Sequence, residues 1–202
     1  ISDSLLAPVI EAFQAAHPGV RVQVFVTERL VDHVAEGIDL SFHVGRLRDS
    51  SLVARRILSY RHRLVASPAY LARAGAPLQP RDLLDHRMLA FSHGRPEASW
   101  SLRYVAGTDT ERLGFVPYLA MNDFAGLAAA LVAGAGIGDL PPVVLPDLLR
   151  DGRLVEVMPD WYFPVFDLSV VHLDSRHVPR VVGVFKDFAA RMVPALFPDL
   201  PL

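Results

Sequence analysis

The stretch 36–57 constrains the fold most, because it combines a helix stop, a buried strand, a glycine turn and the start of a second strand. Gly37 can adopt the left-handed conformation that ends a helix. The apolar run 38–44 is typical of a short strand. Gly45 then turns the chain and leaves Arg46 at the carboxyl end of that strand. Ligands of open α/β sheets bind beyond the carboxyl ends of strands, so Arg46 is the first candidate binding residue.

The sequence before this stretch alternates between helical and strand patterns. Apolar residues at helical spacing predict an amphipathic helix over 4–16, with its cap among residues 2–4. Alternating valines predict a strand over 20–26, and Thr27 is predicted to cap a second helix. The order helix, strand, helix, strand predicts an α/β protein whose sheet is mostly parallel and covered by helices.

The composition and the spacing of predicted elements change in the second half of the chain, which predicts a lobe boundary near Ser67. Ser67 precedes a proline and is predicted to begin a helix that Gly75 ends. Asn122 or Asp123 is predicted to cap a longer helix. The glycines of 134–138 then predict a tight turn from that helix into a strand.

Composition narrows the class of protein. The chain has 202 residues, of which 51% are hydrophobic, and a formal net charge of -2. It is long enough for one large domain or two small lobes, and it is too neutral to be a nucleic-acid-binding surface alone. Without cysteine it has no disulfide framework, and no apolar run approaches the ~20 residues of a membrane span. The first residues resemble the tail of a strand, so we expect a segment of a longer protein.

Enzyme signatures are poor. The sequence contains no G-x-S-x-G elbow and no H-E-x-x-H helix, and its eight histidines do not cluster with carboxylates at metal-ligand spacing. The glycines of 134–138 follow a helix and enter a strand, which is the reverse of a dinucleotide-binding fingerprint. We therefore expect no enzyme activity, no catalytic residue, no metal and no cofactor.

Polar residues at predicted strand ends and helix starts are the candidate ligand contacts. Helix N-termini present unpaired N–H groups, and Arg46 can add a bidentate contact, so a small polar or carboxylate-bearing effector is favoured. Asp123 argues against a strong anion at its own helix. Equally, each residue can be only a cap or a turn former. The candidates are Ser2, Ser4, Thr27, Arg46, Ser92, His93, Asn122 and Asp123.

Other polar and aromatic residues leave alternatives open. His43 is either a ligand contact or a histidine hydrogen-bonded inside the fold, and the second is favoured. The arginines at 55, 56, 61 and 63 form either an interaction patch or a solvated sheet edge, with the edge favoured. Trp100 and the aromatic run 161–163 either line a pocket or pack in the core or at a hinge, and packing is the default interpretation.

An ordered series of motifs resembles the effector-binding domain of LysR-type transcriptional regulators. The first half contains H-P-G-V-R-V-Q-V, R-L-V-D-H-V-A-E-G-I-D-L, V-G-R-L-R-D-S-S-L-V-A-R-R and V-A-S-P-A-Y-L. The second half contains M-N-D-F-A-G-L-A-A-A-L-V-A-G-A-G-I-G-D-L-P and D-G-R-L-V-E-V-M-P-D-W. The resemblance covers nearly the whole chain. Asp139 departs from it, since it lies in a run that is usually apolar.

The resemblance implies a two-lobed fold like that of type-2 periplasmic binding proteins, with a ligand cleft between the lobes. Two crossover segments, near 66–67 and 166–170, would join them. Lobe I would then hold 1–67 and 171–202, and lobe II 68–170. The family's N-terminal winged helix-turn-helix is absent from this sequence.

The resemblance also implies a function. The chain would be the small-molecule-sensing and oligomerisation domain of a cytoplasmic bacterial regulator, which assembles as a dimer or tetramer and reaches DNA only through the absent domain. The family's antiparallel dimer would pair the helix 123–133 with the first helix of a second copy. The alternatives are an extracytoplasmic solute-binding protein of the same fold and a small two-lobed lyase or transferase.

Overall fold

The computed structural model describes residues 2–27, 29, 31–45, 52–173, 179–198 and 200, with the backbone alone at residues 2 and 3. The chain divides into two compact units. Unit 1 comprises Ile1–Tyr60 and Phe166–Leu202, and unit 2 comprises Arg61–Val165. Both breaks come earlier than the 67/68 and 170/171 boundaries of the sequence analysis. The first comes earlier because the strand at 63–66 pairs with strands of unit 2.

Unit 1 is built on a three-stranded sheet and two packed helices. The strands are β1 (Ser41–Val44), β2 (Leu52–Arg61) and β11 (Val165–Leu173), in the order β1-β11-β2. β1 runs antiparallel to β11, with Ser41 opposite Val171. A π-helical turn, Ser2–Leu6, leads into α1 (Ala7–Ala16), and α5 is Arg180–Leu196. The helices meet through Phe13, whose ring centroid lies 4.8 Å from Phe185 and 5.3 Å from Phe188.

The predicted strand over 20–26 and the predicted helix that begins at Thr27 are both wrong. Residues 20–27 belong to none of the described strands, and residues 33–37 form turns. Val26 is 77% exposed and Val34 is 74% exposed, so neither has the burial that alternation and helical spacing predicted.

Local hydrogen bonds explain why the segment forms a turn. The Asp32 carboxylate accepts from the backbone N–H groups of Val34 and Ala35, both at 3.0 Å. Glu36 accepts from the Arg29 guanidinium at 2.7 Å and from the backbone N–H of Asp32 at 3.0 Å. Short acidic side chains that bond nearby backbone offer an alternative to the helix. Gly37, at φ 63, closes the turn in the predicted left-handed conformation.

Unit 2 contains two sheets with helices beside them. The five-stranded sheet has the order β7-β4-β8-β3-β9, and the three-stranded sheet has the order β10-β5-β6. The strands are β3 (Arg63–Ala66), β4 (Met88–Phe91), β5 (Ala98–Tyr104), β6 (Thr110–Phe115), β7 (Leu119–Met121), β8 (Ile137–Leu140), β9 (Val155–Glu156) and β10 (Trp161–Tyr162). The helices are α2 (Pro68–Ala74), a 3-10 helix (Pro80–Asp85), α3 (Phe124–Val132) and α4 (Asp147–Arg150).

The expectation of a mostly parallel sheet is wrong for the strand pairs that the structure describes. β4 is parallel to β7 and to β8. β3 runs antiparallel to both β8 and β9, and the pairs β1 with β11, β5 with β6 and β5 with β10 are antiparallel as well. β5 and β6 are joined by a short turn, which requires an antiparallel pair. The two parallel pairs join strands that long connections separate in the chain, and the predicted strand over 20–26 does not form.

The five-stranded sheet of unit 2 separates two apolar cores. Along β3, Leu64 and Ala66 join the core that contains Trp100 and the three-stranded sheet. Val65, on the opposite face, joins the core beneath α3 and α4, where Leu127 and Leu131 are fully buried. This alternation is the period of two expected of a strand with both faces buried.

The predicted tight turn from α3 into β8 is confirmed. Gly134, at φ 81, ends the helix, and its N–H donates to the carbonyl of Leu131 at 3.0 Å. A Cβ atom on Gly136 would lie 2.1 Å from the backbone carbonyl oxygen of Arg87. Only a residue without a side chain can therefore pass this close to the chain before β4.

Candidate functional site

Four of the predicted contact residues lie at one edge of the five-stranded sheet of unit 2. Ser92 and His93 follow β4, and Asn122 and Asp123 follow its parallel neighbour β7. The Ser92 N–H donates to the carbonyl of Met121 at 3.1 Å, which joins the ends of the two strands. Carboxyl ends of parallel strands meet at the same edge, where open α/β sheets bind ligands.

Asp123 is the N-cap of α3, which decides between the two predicted alternatives, Asn122 and Asp123. Its carboxylate accepts from the N–H groups of Ala125 at 3.0 Å and Gly126 at 2.9 Å. These are among the amides that an anion at the helix start would need, and they are already occupied. Asp123 also places negative charge at the edge, so this helix start favours hydrogen-bond donors in a ligand over a carboxylate.

The loop after β4 is closed by Ser92. The Ser92 hydroxyl donates to the carbonyl of Arg95 at 3.0 Å and accepts from the Arg95 N–H at 3.2 Å. This hydroxyl therefore shapes the loop that carries His93. The His93 ring lies 5.1 Å from the ring of Phe91, at an interplanar angle of 82°, and the residue is exposed.

A row of ring contacts runs from this edge of the sheet to His62. Phe91 and Phe124 stack with their centroids 4.4 Å apart and their planes at 20°. Phe124 in turn meets the ring of His62 edge-on at 5.4 Å. The edge thus offers flat apolar surface beside polar groups, the usual composition of a small-molecule site.

His62 and Asp139 are the pair at this edge that the sequence analysis missed. The Nδ1 atom of His62 lies 2.7 Å from Oδ2 of Asp139, and the two side chains are only 10% and 11% exposed. Asp139 lies on β8, which is parallel to β4. The signal in the sequence was an acid inside the apolar run I-G-D-L, because a buried carboxylate requires a partner. The partner lies 77 residues away.

The predicted contacts in unit 1 are placed differently. Ser4 is half-buried in the π-helical turn before α1. The Thr27 hydroxyl oxygen lies 3.4 Å from the backbone N of Arg29 in an exposed segment, so Thr27 caps a turn and not the predicted helix. The side chain of Ser2 and the whole of Arg46 lie outside the described residues. His43 pairs with Ser169 across β1 and β11 and is half-buried.

The four arginines at 55, 56, 61 and 63, which were predicted to form a patch or a sheet edge, each lie beside an acidic or aromatic side chain. Arg55 pairs with Asp187 at 2.6 Å, Arg63 with Glu156 at 2.7 Å, and Arg56 lies 3.7 Å from Asp167. The Arg61 guanidinium lies over the ring of Tyr162, 4.1 Å from its centroid.

The tryptophans belong to the packing of unit 2. Trp100 is 6% exposed and contacts Phe115 and Phe163 edge-on. Trp161 packs on Tyr104, with centroids 5.2 Å apart. The default interpretation of these residues as core packing is therefore the one that the structure supports.

The described part of the chain has neither a metal-binding cluster nor a membrane-spanning helix. No group of three or more His, Asp or Glu side chains there is arranged to hold a metal ion. None of the helices described has both the length and the apolar character needed to span a bilayer.

Solved structures establish the class of fold. The regulatory domain of AphB from Vibrio vulnificus superposes with a TM-score of 0.81 at 28% identity, covering 95% of this chain and 93% of that one. Full-length AphB of Vibrio cholerae, a virulence activator and member of the LTTR protein family, superposes with a TM-score of 0.84 at 27% identity. That match covers 95% of this chain and 65% of AphB. The fold is therefore the periplasmic-binding-protein-like fold of LysR-type regulatory domains.

Sequence comparison then identifies the family. The profile of the LysR substrate binding domain matches residues 1–194. An HTH-type transcriptional regulator of Xanthomonas campestris pv. campestris is 32% identical over 187 residues, covering 91% of this chain and 54% of that protein. An uncharacterized HTH-type transcriptional regulator of Haemophilus influenzae is 30% identical over 184 residues, covering 91% and 63%. The chain belongs to the LysR substrate binding domain family.

These matches confirm the resemblance that the motifs indicated. They favour a transcriptional regulator over a solute-binding protein or an enzyme, since the relatives are named as regulators. The chain spans 54% and 63% of the length of the two relatives described.

Proposed function

We propose that this chain is the effector-sensing and oligomerisation domain of a cytoplasmic bacterial transcriptional regulator, which binds DNA through a helix-turn-helix domain outside this sequence. The observation that carries the sensing role is the edge of unit 2. There Ser92, His93, Asn122 and Asp123 follow two parallel strands beside the stacked rings of Phe91 and Phe124. The family and the regulators among the relatives support the DNA-linked role.

The proposed effector is a small molecule that carries a flat ring and polar groups. The rings at the edge of unit 2 supply apolar contact, and the carboxylate of Asp123 favours a hydrogen-bond donor nearby. A carboxylate on the effector would be bound by Arg46, and Ser2, Ser4 and Thr27 are the proposed contacts of unit 1. Aromatic carboxylates are therefore the first class to test, with their neutral amides as matched probes.

Effector binding would act by population shift. A ligand that binds one arrangement of the regulator better than another shifts the equilibrium between them by its differential affinity. The DNA-binding domains of an assembled regulator would then be presented differently. We propose dimers or tetramers as the assembled state.

A thermal-shift screen of the 202-residue chain tests the sensing role. Ligand at one hundred times its Kd should stabilise the folded chain by about 2.7 kcal/mol. Asn122→Ala and His93→Ala should each remove most of the shift, whereas Thr108→Ala, in an exposed turn of the same unit, should retain it. Unchanged shifts in both site variants would refute the site. A screen without any stabilising ligand would refute the proposed effector class.

A further inference from the structure

Lys186 is the only lysine in the sequence, and it contacts a buried histidine. Its Nζ atom lies 3.3 Å from Nε2 of His172. His172 lies on β11 and is 7% exposed, and Lys186 lies on α5 and is half-buried. Both residues belong to unit 1.

A third atom determines the proton arrangement of this pair. The Nδ1 atom of His172 lies 2.9 Å from the carbonyl oxygen of Leu173, and a carbonyl can only accept. Nδ1 therefore carries the proton and donates. In the neutral imidazole Nε2 then has a lone pair, which faces the lysine. Since an ammonium can only donate, Lys186 donates to a nitrogen that is also a base.

The charges around Lys186 leave its ammonium without a carboxylate partner among the described residues. The neighbouring acid on α5, Asp187, instead pairs with Arg55 at 2.6 Å. No ion pair joins Lys186 to an Asp or Glu in the part of the chain that the structure describes. The one polar contact of the lysine there is thus with a group able to accept its proton.

We propose that Lys186 is a modification site that accepts an acyl group from a small acyl phosphate, with His172 as the assisting base. Nε2 of His172 first takes one proton from the Lys186 ammonium, and the lone pair of the free amine then attacks the carbonyl carbon of the acyl phosphate, so that a new C–N bond forms. The C–O bond to phosphate breaks, and phosphate leaves with the electron pair. The protons that the nitrogen loses pass through Nε2 of His172 to solvent. The product is an amide, which has lost the positive charge of Lys186.

The test follows acetylation of the folded 202-residue chain by acetyl phosphate at about pH 8, with mass spectrometry of the peptide that contains Lys186. A reference peptide with a single lysine in the same tube provides the rate of an unassisted amine. The matched variant is His172→Gln, which retains a hydrogen-bond acceptor near Lys186 but is not a base. For each protein, the acetylation rate of Lys186 is divided by that of the reference peptide. We expect this ratio to be about tenfold or more higher in the wild type than in His172→Gln.

A second comparison keeps the test decisive if His172→Gln does not fold, which circular dichroism will show. In urea the pair is broken, and Lys186 becomes an ordinary exposed amine. The proposal expects native Lys186 to react faster than denatured Lys186. Partial burial without assistance by His172 predicts the opposite order. A slower native rate, or equal rates in wild type and a folded His172→Gln variant, would overturn the proposal.

Discussion

The Nδ1 atom of His62 donates to Oδ2 of Asp139 across 2.7 Å inside unit 2, and about nine-tenths of each side chain is buried. A polar group in this position needs a hydrogen-bond partner, because burial removes most of its contact with water, and the imidazole supplies one. Asp139 faces Leu64 across the antiparallel pair of β8 and β3, and the His62 ring also contacts Phe163 at 6.2 Å. An apolar neighbourhood thus surrounds a polar pair.

A double-mutant cycle tests how this pair contributes to stability. His62→Phe leaves the Asp139 carboxylate buried without this donor, and Asp139→Leu removes the acceptor, so each should cost about 2 kcal/mol. The double variant should cost less than the sum, because an apolar pair needs neither hydrogen bond. Urea denaturation of the four proteins measures the coupling. Additive losses would show that the two side chains act independently.

Tyr60 makes the stability of the protein sensitive to alkaline pH. Tyr60 is the last residue of the first chain segment of unit 1, and its side chain is buried. Burial raises its pKa to about 12. The folded chain therefore favours the neutral phenol. This contribution is full below the ordinary pKa of 10 and is lost as pH rises through about 12, with a loss on the order of 2 kcal/mol.

The check is urea denaturation at a series of pH values from about 9 to 12. Tyr60→Phe has no ionisable group at this position, so its stability should decline less steeply than that of the wild type over this range. Parallel curves for the two proteins would contradict the assignment to Tyr60.

Gly136 should be the least replaceable glycine of unit 2. A Cβ atom there would lie 2.1 Å from the carbonyl oxygen of Arg87 and 2.6 Å from Leu89, and the carbonyl belongs to backbone that cannot rotate away. Gly136→Ala should therefore cost about 3 kcal/mol or fail to fold. The control is Gly114→Ala on β6, where nothing lies within 4 Å. A thermal unfolding midpoint for Gly136→Ala as high as that of Gly114→Ala would refute the close approach.

The turn that replaces the predicted second helix has a measurable electrostatic signature. The pKa of Glu36 is lowered from 4.5 to about 2, chiefly by the hydrogen bond from Arg29 and then by the backbone N–H of Asp32. The lowered pKa means that the pair stabilises the fold above pH 4.5 and loses this effect as pH falls through about 2.

Carboxyl NMR titration of Glu36 measures this directly. The wild type should titrate at about 2. Arg29→Gln should raise the pKa toward 4.5, and Arg29→Lys should raise it less, because lysine retains the charge without the bidentate geometry. A Glu36 pKa that does not respond to Arg29→Gln would show that the turn does not form as described.

Local sequence was sufficient to predict where several helices begin and end. Ser67 caps α2 by accepting from the Tyr70 N–H at 3.2 Å, and Gly75 ends that helix, as predicted. Asp123, one of the two predicted alternatives, caps α3. These features depend on hydrogen bonds within about four residues, so the residues that decide them are adjacent in the sequence. The series of motifs was likewise sufficient to identify the family, and the family in turn predicted the fold class.

The structure of the segment 20–36 differs from the strand and helix that its sequence pattern predicted. Alternating valines and helical spacing are necessary for a buried strand or helix, but burial also requires a neighbouring surface. Without such burial at Val26 and Val34, the local hydrogen bonds of Asp32 and Glu36 decide the conformation. The acids that form the turn are visible in the sequence. The sequence alone does not show that their local hydrogen bonds outweigh the packing that the valines could have made.

Contacts between distant segments were decided by tertiary structure alone. The direction of each strand in unit 2 depends on which connections cross the sheet, and the partner of Asp139 lies 77 residues away in the chain. The gathering of Ser92, His93, Asn122 and Asp123 at one edge depends in the same way on the parallel pairing of β4 and β7. Local propensity acts over a few residues, whereas a binding edge and a buried hydrogen-bonded pair form only when the fold brings remote residues together.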